Sequence, residues 1–200
     1  MKRPLLKNPV TGIYHITCRG NNKEFIFDTD QSKRKLIMLL KDCKKKFDFE
    51  LLAWVIMSNH IHLLLKVNDS SLSTIMHNLK GRYSKWYNQK NAHTGHVFDG
   101  PYDMKECVNL NYFLNIIRYI HQNPERAHIC ETASYLWSSH RDYVNDCPWH
   151  ITNVDIALEK IHSDFNKSRA DYRQFMLDPE IILPKLPIDD IYVSEISDSP

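Results

Sequence analysis

His60 and His62 stand two residues apart in Asn59-His60-Ile61-His62-Leu63-Leu64-Leu65, an apolar run of the kind that forms a strand. Residues i and i+2 of a strand point to the same face, so the two imidazoles project together while Ile61 and Leu63 turn to the opposite, helix-covered face. The histidines are therefore expected on the open face of a central strand, within reach of a substrate. Two neighbouring neutral imidazoles suit a metal ion, because one strand fixes their separation. The bland reading stands beside it: a half-buried pair that hydrogen-bonds to neighbouring side chains, since an unsatisfied polar group costs about 1–3 kcal/mol.

Tyr119 offers a second kind of chemistry. It lies near the end of an amphipathic run, in Ile117-Arg118-Tyr119-Ile120-His121-Gln122-Asn123-Pro124, with Asn123 one helical turn on. Positions i and i+4 share a helix face, so phenol and amide oxygen can address one point in space. A helical tyrosine with only a core role, its hydroxyl at the edge, is the competing account.

These side chains need a frame. Residues 12–17 alternate as a strand, and Arg19-Gly20-Asn21-Asn22 is turn chemistry. Leu36, Ile37, Leu39, Leu40, Cys43 and Phe47 fall on helical spacing, which predicts a helix over 32–46 with Ser32 as its N-cap and lysines outside. Residues 50–57 and 61–67, broken at Ser58-Asn59, read as a hairpin of central strands. A second helix carries Leu72, Ile75, Met76, Leu79, Tyr83, Trp86 and Tyr87 inward, with Lys80, Arg82, Lys85 and Lys90 on or beside its exposed side. A strand over 102–107 and a third helix from Asn109, stopped by Pro124, complete the order β, α, β, β, α, β, α. That order predicts an α+β fold: a ferredoxin-like or RRM-like antiparallel sheet with helices on one face, plus a C-terminal helical extension. Short helices are expected over 153–161 and 168–176. The division follows as a catalytic domain over 1–145, a helical extension over 146–177 and a loose acidic tail over 178–200, which holds four prolines.

Composition narrows the partners. The net charge is only +2, yet residues up to His128 hold 20 Lys and Arg against 11 Asp and Glu, and the remainder holds 6 against 13. A basic body joined to an acidic C-terminal part points to a polyanion, nucleic acid first. The 200 residues suffice for one domain with appended structure. No apolar run reaches the roughly 18 residues of a membrane span, and no secretory signal follows the basic N-terminus, so a soluble cytoplasmic protein is expected. Five scattered cysteines form no close pair and read as reduced thiols. His93 and His96 sit around a Thr-Gly turn without a carboxylate pair, which suits a loop role or a DNA contact better than a metal.

Five segments in order carry a resemblance: Tyr14-His15-Ile16-Thr17-Cys18-Arg19-Gly20-Asn21-Asn22, Met57-Ser58-Asn59-His60-Ile61-His62-Leu63-Leu64, Lys80-Gly81-Arg82-Tyr83, Gly95-His96-Val97-Phe98, and Arg118-Tyr119-Ile120-His121-Gln122-Asn123-Pro124-Glu125-Arg126-Ala127. Together they resemble the single-tyrosine HUH transposases, and more closely their REP-associated branch, over about 12–143; the helical segment through Phe175 is similar to that branch's extension. The resemblance implies that His60 and His62 ligate a metal, that Tyr119 is the nucleophile and that Asn123 is the third ligand, where the insertion-sequence branch tends to carry glutamine. Asp99 departs from the polar or basic residue commoner there.

Such a nitrogen and oxygen ligand set suits Mg²⁺ or Mn²⁺. The implied reaction is metal-dependent cleavage and rejoining of single-stranded or hairpin DNA through a 5′-phosphotyrosine, with Arg19, Lys80, Arg82 and Lys85 as candidates for backbone contacts. Rival expectations are a hairpin-binding regulator that does not cut and a phosphodiesterase that uses water. A monomer and a homodimer are both compatible with the sequence.

Overall fold

A computed structural model of the chain describes residues 12–144, 148–160 and 165–178. Strands β1 (Ile13–Arg19), β2 (Phe49–Ile56), β3 (His60–Val67) and β4 (Asp103–Glu106) form one antiparallel sheet in the order β2-β3-β1-β4. The two central strands, β1 and β3, run in a register that sets Thr17 opposite His62 and Arg19 opposite His60. A tight turn at Ser58-Asn59 joins β2 to β3, closed by the Met57 N–H donating to the His60 carbonyl at 2.9 Å. Gly20 fits where β1 ends because a Cβ there would lie 2.2 Å from the Glu24 carbonyl oxygen.

Helix α1 (Asp30–Lys46) begins earlier than its apolar spacing predicts. Thr29, not Ser32, is the N-cap: its hydroxyl accepts from the Ser32 N–H at 3.2 Å. Asp30 in the first turn and Lys44, Lys45 and Lys46 in the last match the helix dipole. Helix α2 (Leu72–Asn91) packs along α1, burying Ile75, Met76, Leu79 and Tyr83.

Helix α3 (Leu110–Arg126) is capped by Asn109 and packs on β2 and β3. Phe113, Ile116, Ile117 and Ile120 are buried, each contributing roughly 1.5–3 kcal/mol. Pro124 does not stop it. The helix continues to Arg126, and the Ala127 N–H donates to the Asn123 carbonyl at 3.0 Å. Proline removes one donor, not the whole ladder, and burial of Asn123 and Pro124 holds the last turn in place.

The exposed edge of β2 is covered by chain beyond α3. Ile56 N–H donates to the Trp137 carbonyl and Ser139 N–H to the Trp54 carbonyl, both at 2.9 Å, around a bridge of Ser138 to Val55. Tyr135 and Tyr143 add hydroxyl bonds to the Ile56 and Leu52 carbonyls. These contacts satisfy backbone groups that an open strand would leave unpaired. Helices α4 (His140–Tyr143), α5 (Val154–Leu158) and α6 (Phe165–Leu177) follow, so both helices expected in the extension are present with shifted bounds. The tail expected from 178 lies outside the described residues except Asp178.

Cys18, Cys43, Cys107 and Cys130 form no disulfide among the described residues, and Cys147 lies outside them. Among the described residues no helix is long and apolar enough to cross a membrane.

Candidate active site

His60 and His62 project from one side of β3, their ring centroids 5.0 Å apart. That side is not open, contrary to expectation. Helix α3 lies over it, and His60 and His62 are at most 1% exposed. The reason is α3's apolar stripe, which requires a surface to cover.

Through α3, Tyr119 and Asn123 reach the histidines. The Tyr119 ring stands edge-on to His62 at 5.3 Å between centroids, and Asn123 Oδ1 lies 3.4 Å from His60 Nε2. Both residues are buried. Arg126, one turn past Asn123, sets its guanidinium 5.0 Å from the Tyr119 ring centroid.

Each imidazole is oriented through Nδ1. For His60 the contact is Asn59 Oδ1 at 2.6 Å; for His62 the contacts are His15 Nε2 at 3.0 Å and Thr17 Oγ1 at 3.1 Å. When Nδ1–H of His60 donates to Asn59, Nε2 carries a lone pair toward Asn123 Oδ1, itself an acceptor. Two acceptors facing each other favour a cation between them. His62 Nε2 is buried with no hydrogen-bond partner, which is costly unless something occupies that nitrogen. Two imidazole nitrogens and an amide oxygen fit a divalent cation. Among the described residues no three His, Cys, Asp or Glu side chains converge on a metal position, and the amide oxygen beside His60 is that of Asn123.

Burial lowers the pKa of all three imidazoles. His60 falls to about 4, with the neighbouring Arg19 charge pushing the same way and the Asn123 contact opposing. His15 falls to about 3 through burial and Lys105, and His62 falls well below the usual imidazole range through burial and its two histidine neighbours. All three are thus neutral, with lone pairs available, at neutral pH.

The structure gathers His60, His62, Tyr119 and Asn123, with Arg19 opposite His60. Lys80, Arg82 and Lys85 lie elsewhere, on α2. Arg82 pairs with Asp42 of α1 at 2.7 Å, and Lys80 donates to the Gly100 carbonyl at 2.8 Å. His93, just past α2, contacts Asn88 in that helix's last turn at 2.8 Å. His15, Thr17, Asn59 and Arg126 did not emerge as site residues from the sequence. The one signal for the first two was the alternation of His15 and Thr17 on the β1 face that also carries Arg19.

The chain is thus an α+β protein in which two histidines of an antiparallel sheet meet a tyrosine of the helix that covers them. The chain belongs to the IS200-like transposase family, a family of DNA-processing enzymes: the family model described as "Transposase IS200 like" matches residues 10–123. Among solved structures, a REP-associated tyrosine transposase bound to a REP hairpin aligns with a TM-score of 0.58 at 17% identity, covering 77% of this chain and 90% of that one. A putative transposase from Deinococcus radiodurans R1 aligns at 18% identity with a TM-score of 0.42, covering 54% of this chain and 85% of that one. No curated protein matches the sequence.

Proposed function

We propose that the protein cuts and rejoins single-stranded or hairpin DNA through a 5′-phosphotyrosine on Tyr119, using Mg²⁺ or Mn²⁺ held by His60, His62 and Asn123. The observation that carries this reading is the edge-on contact of Tyr119 with His62, beside the buried and unpartnered Nε2 of His62. The basic excess before His128 supports a DNA partner, as does the REP hairpin named for the structural relative.

A tyrosine phenol in water has a pKa of about 10, so generating phenolate at pH 7 costs about 4 kcal/mol. Held by His60, His62 and Asn123, a divalent cation would supply positive charge for that purpose and would polarise the scissile phosphate. Tyr119 Oη then bonds to phosphorus, and the 3′-oxygen of the preceding nucleotide leaves and takes up a proton. In the return step a strand's 3′-hydroxyl attacks the phosphotyrosine and restores the phenol, so the phosphodiester energy is kept and no nucleotide cofactor is consumed. His15, Thr17 and Asn59 hold the imidazoles in one orientation, which is how neighbours of metal ligands act. Arg19 adds a positive charge beside His60 for the DNA backbone. One chain carries the whole set, which favours catalysis in a monomer over a homodimer with shared sites. The action belongs to the cytoplasm, where DNA is available to it.

A second reading, a hairpin-binding regulator that does not cut, is favoured by the burial of Tyr119, His60 and His62, none of them more than 1% exposed. Incubation with Mg²⁺ or Mn²⁺ and an end-labelled single-stranded hairpin separates the two. Cutting gives a protein–DNA adduct on a denaturing gel that Tyr119→Phe abolishes. Binding without adduct under either metal supports the regulator, and cleavage that survives Tyr119→Phe indicates a water nucleophile.

A further inference from the structure

Arg126 follows Tyr119 at i+7 and Asn123 at i+3 on α3, so the three side chains lie on one stripe of that helix. Its guanidinium sits over the Tyr119 ring, 5.0 Å from the centroid. Tyr119, Asn123, His60 and His62 are buried, whereas Arg126 is half-buried and is therefore the member of this group that reaches solvent. A basic residue in the last turn of a helix meets the dipole whatever its shape, and a solvated lysine would meet it as well. The dipole does not account for a guanidinium placed over the nucleophile's ring.

The shape of the group does. A guanidinium is planar and permanently charged, and it can stack on an aromatic face while its N–H edge stays open to a phosphate. Lysine cannot do both. For attack by Tyr119, phosphorus must come within roughly 3–3.5 Å of the phenol oxygen, which puts the phosphate at the edge of the ring that Arg126 covers. No other cation of α3 is set this way: Arg118 turns to α6, its guanidinium 5.5 Å from the Phe175 ring centroid. Arg19 stands across from His60 on the sheet, so the centre has one guanidinium from the strand wall and one from the helix wall.

We propose that Arg126 seats the scissile phosphodiester. Its guanidinium stays on the Tyr119 ring, donates hydrogen bonds to the non-bridging oxygens, holds phosphorus in line with Tyr119 Oη and balances the charge that gathers on those oxygens as the new P–O bond forms. Arg126 gives up no proton and forms no covalent bond; the 3′-oxygen leaves and is protonated as in the reaction above. This role deepens the cutting-and-rejoining reading and rests on it.

Two small probes test it: thymidylyl-thymidine, which holds a single phosphodiester, and its uncharged methylphosphonate analogue. The protein is labelled with ¹³C in its tyrosine rings and kept in Mg²⁺. The Tyr119 signal is identified by its loss in Tyr119→Phe, and each probe's affinity is read from the movement of that signal. A cation at the histidines prefers the charged probe in wild type and variant alike, so the change in the ratio of the two affinities reports Arg126. That ratio is expected to fall about tenfold in Arg126→Gln, with the neutral probe bound as in wild type, and to fall by less in Arg126→Lys, which keeps the charge without the planar fork.

An unchanged ratio in Arg126→Gln overturns the inference. So does an equal loss on both probes, which a displaced helix end would produce, or a Tyr119 signal that neither probe moves. If Arg126→Gln does not fold, Arg126→Lys decides alone, and a ratio equal to wild type counts against the proposal. Adduct formation by the wild type on hairpin DNA is scored separately. An adduct with an unchanged ratio rejects the role of Arg126 alone, whereas a fallen ratio without any adduct upholds the phosphate contact and rejects only the cutting reaction.

Discussion

His15 Nε2 lies 3.0 Å from His62 Nδ1, and this contact between adjacent strands aims the opposite nitrogen of His62 into the centre of the site. With Nδ1 engaged, and Thr17 Oγ1 also 3.1 Å away, the neutral ring offers only Nε2 to a cation. His15→Leu keeps the strand and most of the volume but removes the contact. Mn²⁺ affinity, followed by electron paramagnetic resonance of the free ion, is expected to fall about 10–100-fold with the fold intact. An affinity equal to wild type would remove His15 from the site.

Tyr172 joins α6 to the same covering helix through a chain of hydrogen bonds. Ser139 Oγ accepts from the Trp54 N–H at 2.8 Å and lies 2.7 Å from His121 Nε2. The Tyr172 hydroxyl lies 2.8 Å from His121 Nδ1 and 2.6 Å from His140 Nδ1, so it bridges the two imidazoles. Tyr172→Phe leaves two buried imidazole nitrogens unsatisfied, at about 1–3 kcal/mol each. Urea unfolding should show a loss of roughly 2–6 kcal/mol, more than Tyr143→Phe, which frees one backbone carbonyl. Equal losses in the two variants would mean that the relay adds nothing beyond a single bond.

Legibility in the sequence followed the range of each interaction. The alternation of β1 and β3 and the helical spacing of α1 to α3 are local, so the α+β order and the shared face of His60 and His62 could be read directly. The i to i+4 relation of Tyr119 and Asn123 was legible for the same reason. The amphipathic stripe of α3 says that one face is buried but not which side of the sheet it covers, and so the histidine face was expected to be open. His15 and Thr17 lie 47 and 45 residues from His62, and only the β1–β3 register, which no local pattern encodes, brings them together. The 137–139 segment has no period at all. Its place is set by the unpaired edge of β2.

Gly81→Ala isolates the cost of a glycine inside α2. Alanine replaces the poorest ordinary helix former inside α2, and its methyl group meets no atom within 4 Å, so stability should rise by up to about 1 kcal/mol. Thermal unfolding should show a higher midpoint than wild type. A lower midpoint would mean that Gly81 serves the fold.

His140 makes folding acid-sensitive, and its sign follows from burial. Its pKa falls to about 4, through burial first and the Arg173 charge second, with Glu125 opposing. Facing it are Tyr172, whose hydroxyl lies 2.6 Å from its Nδ1, and His121, 5.7 Å away between ring centroids, itself held neutral by burial. The unfolded chain binds a proton at this histidine near pH 6.5, while the folded chain does not until about pH 4. Between those values the unfolded state holds more protons, so stability falls as pH falls, by about 1.4 kcal/mol per pH unit, and levels off below the folded value. Replacing the ring in His140→Gln removes that contribution. Urea unfolding at intervals from about pH 7 to pH 4 should therefore give a shallower decline for the variant than for wild type, the difference opening near pH 6.5. Parallel curves across that window would show that His140 takes up its proton equally in both states, and that its buried contact with Tyr172 survives protonation.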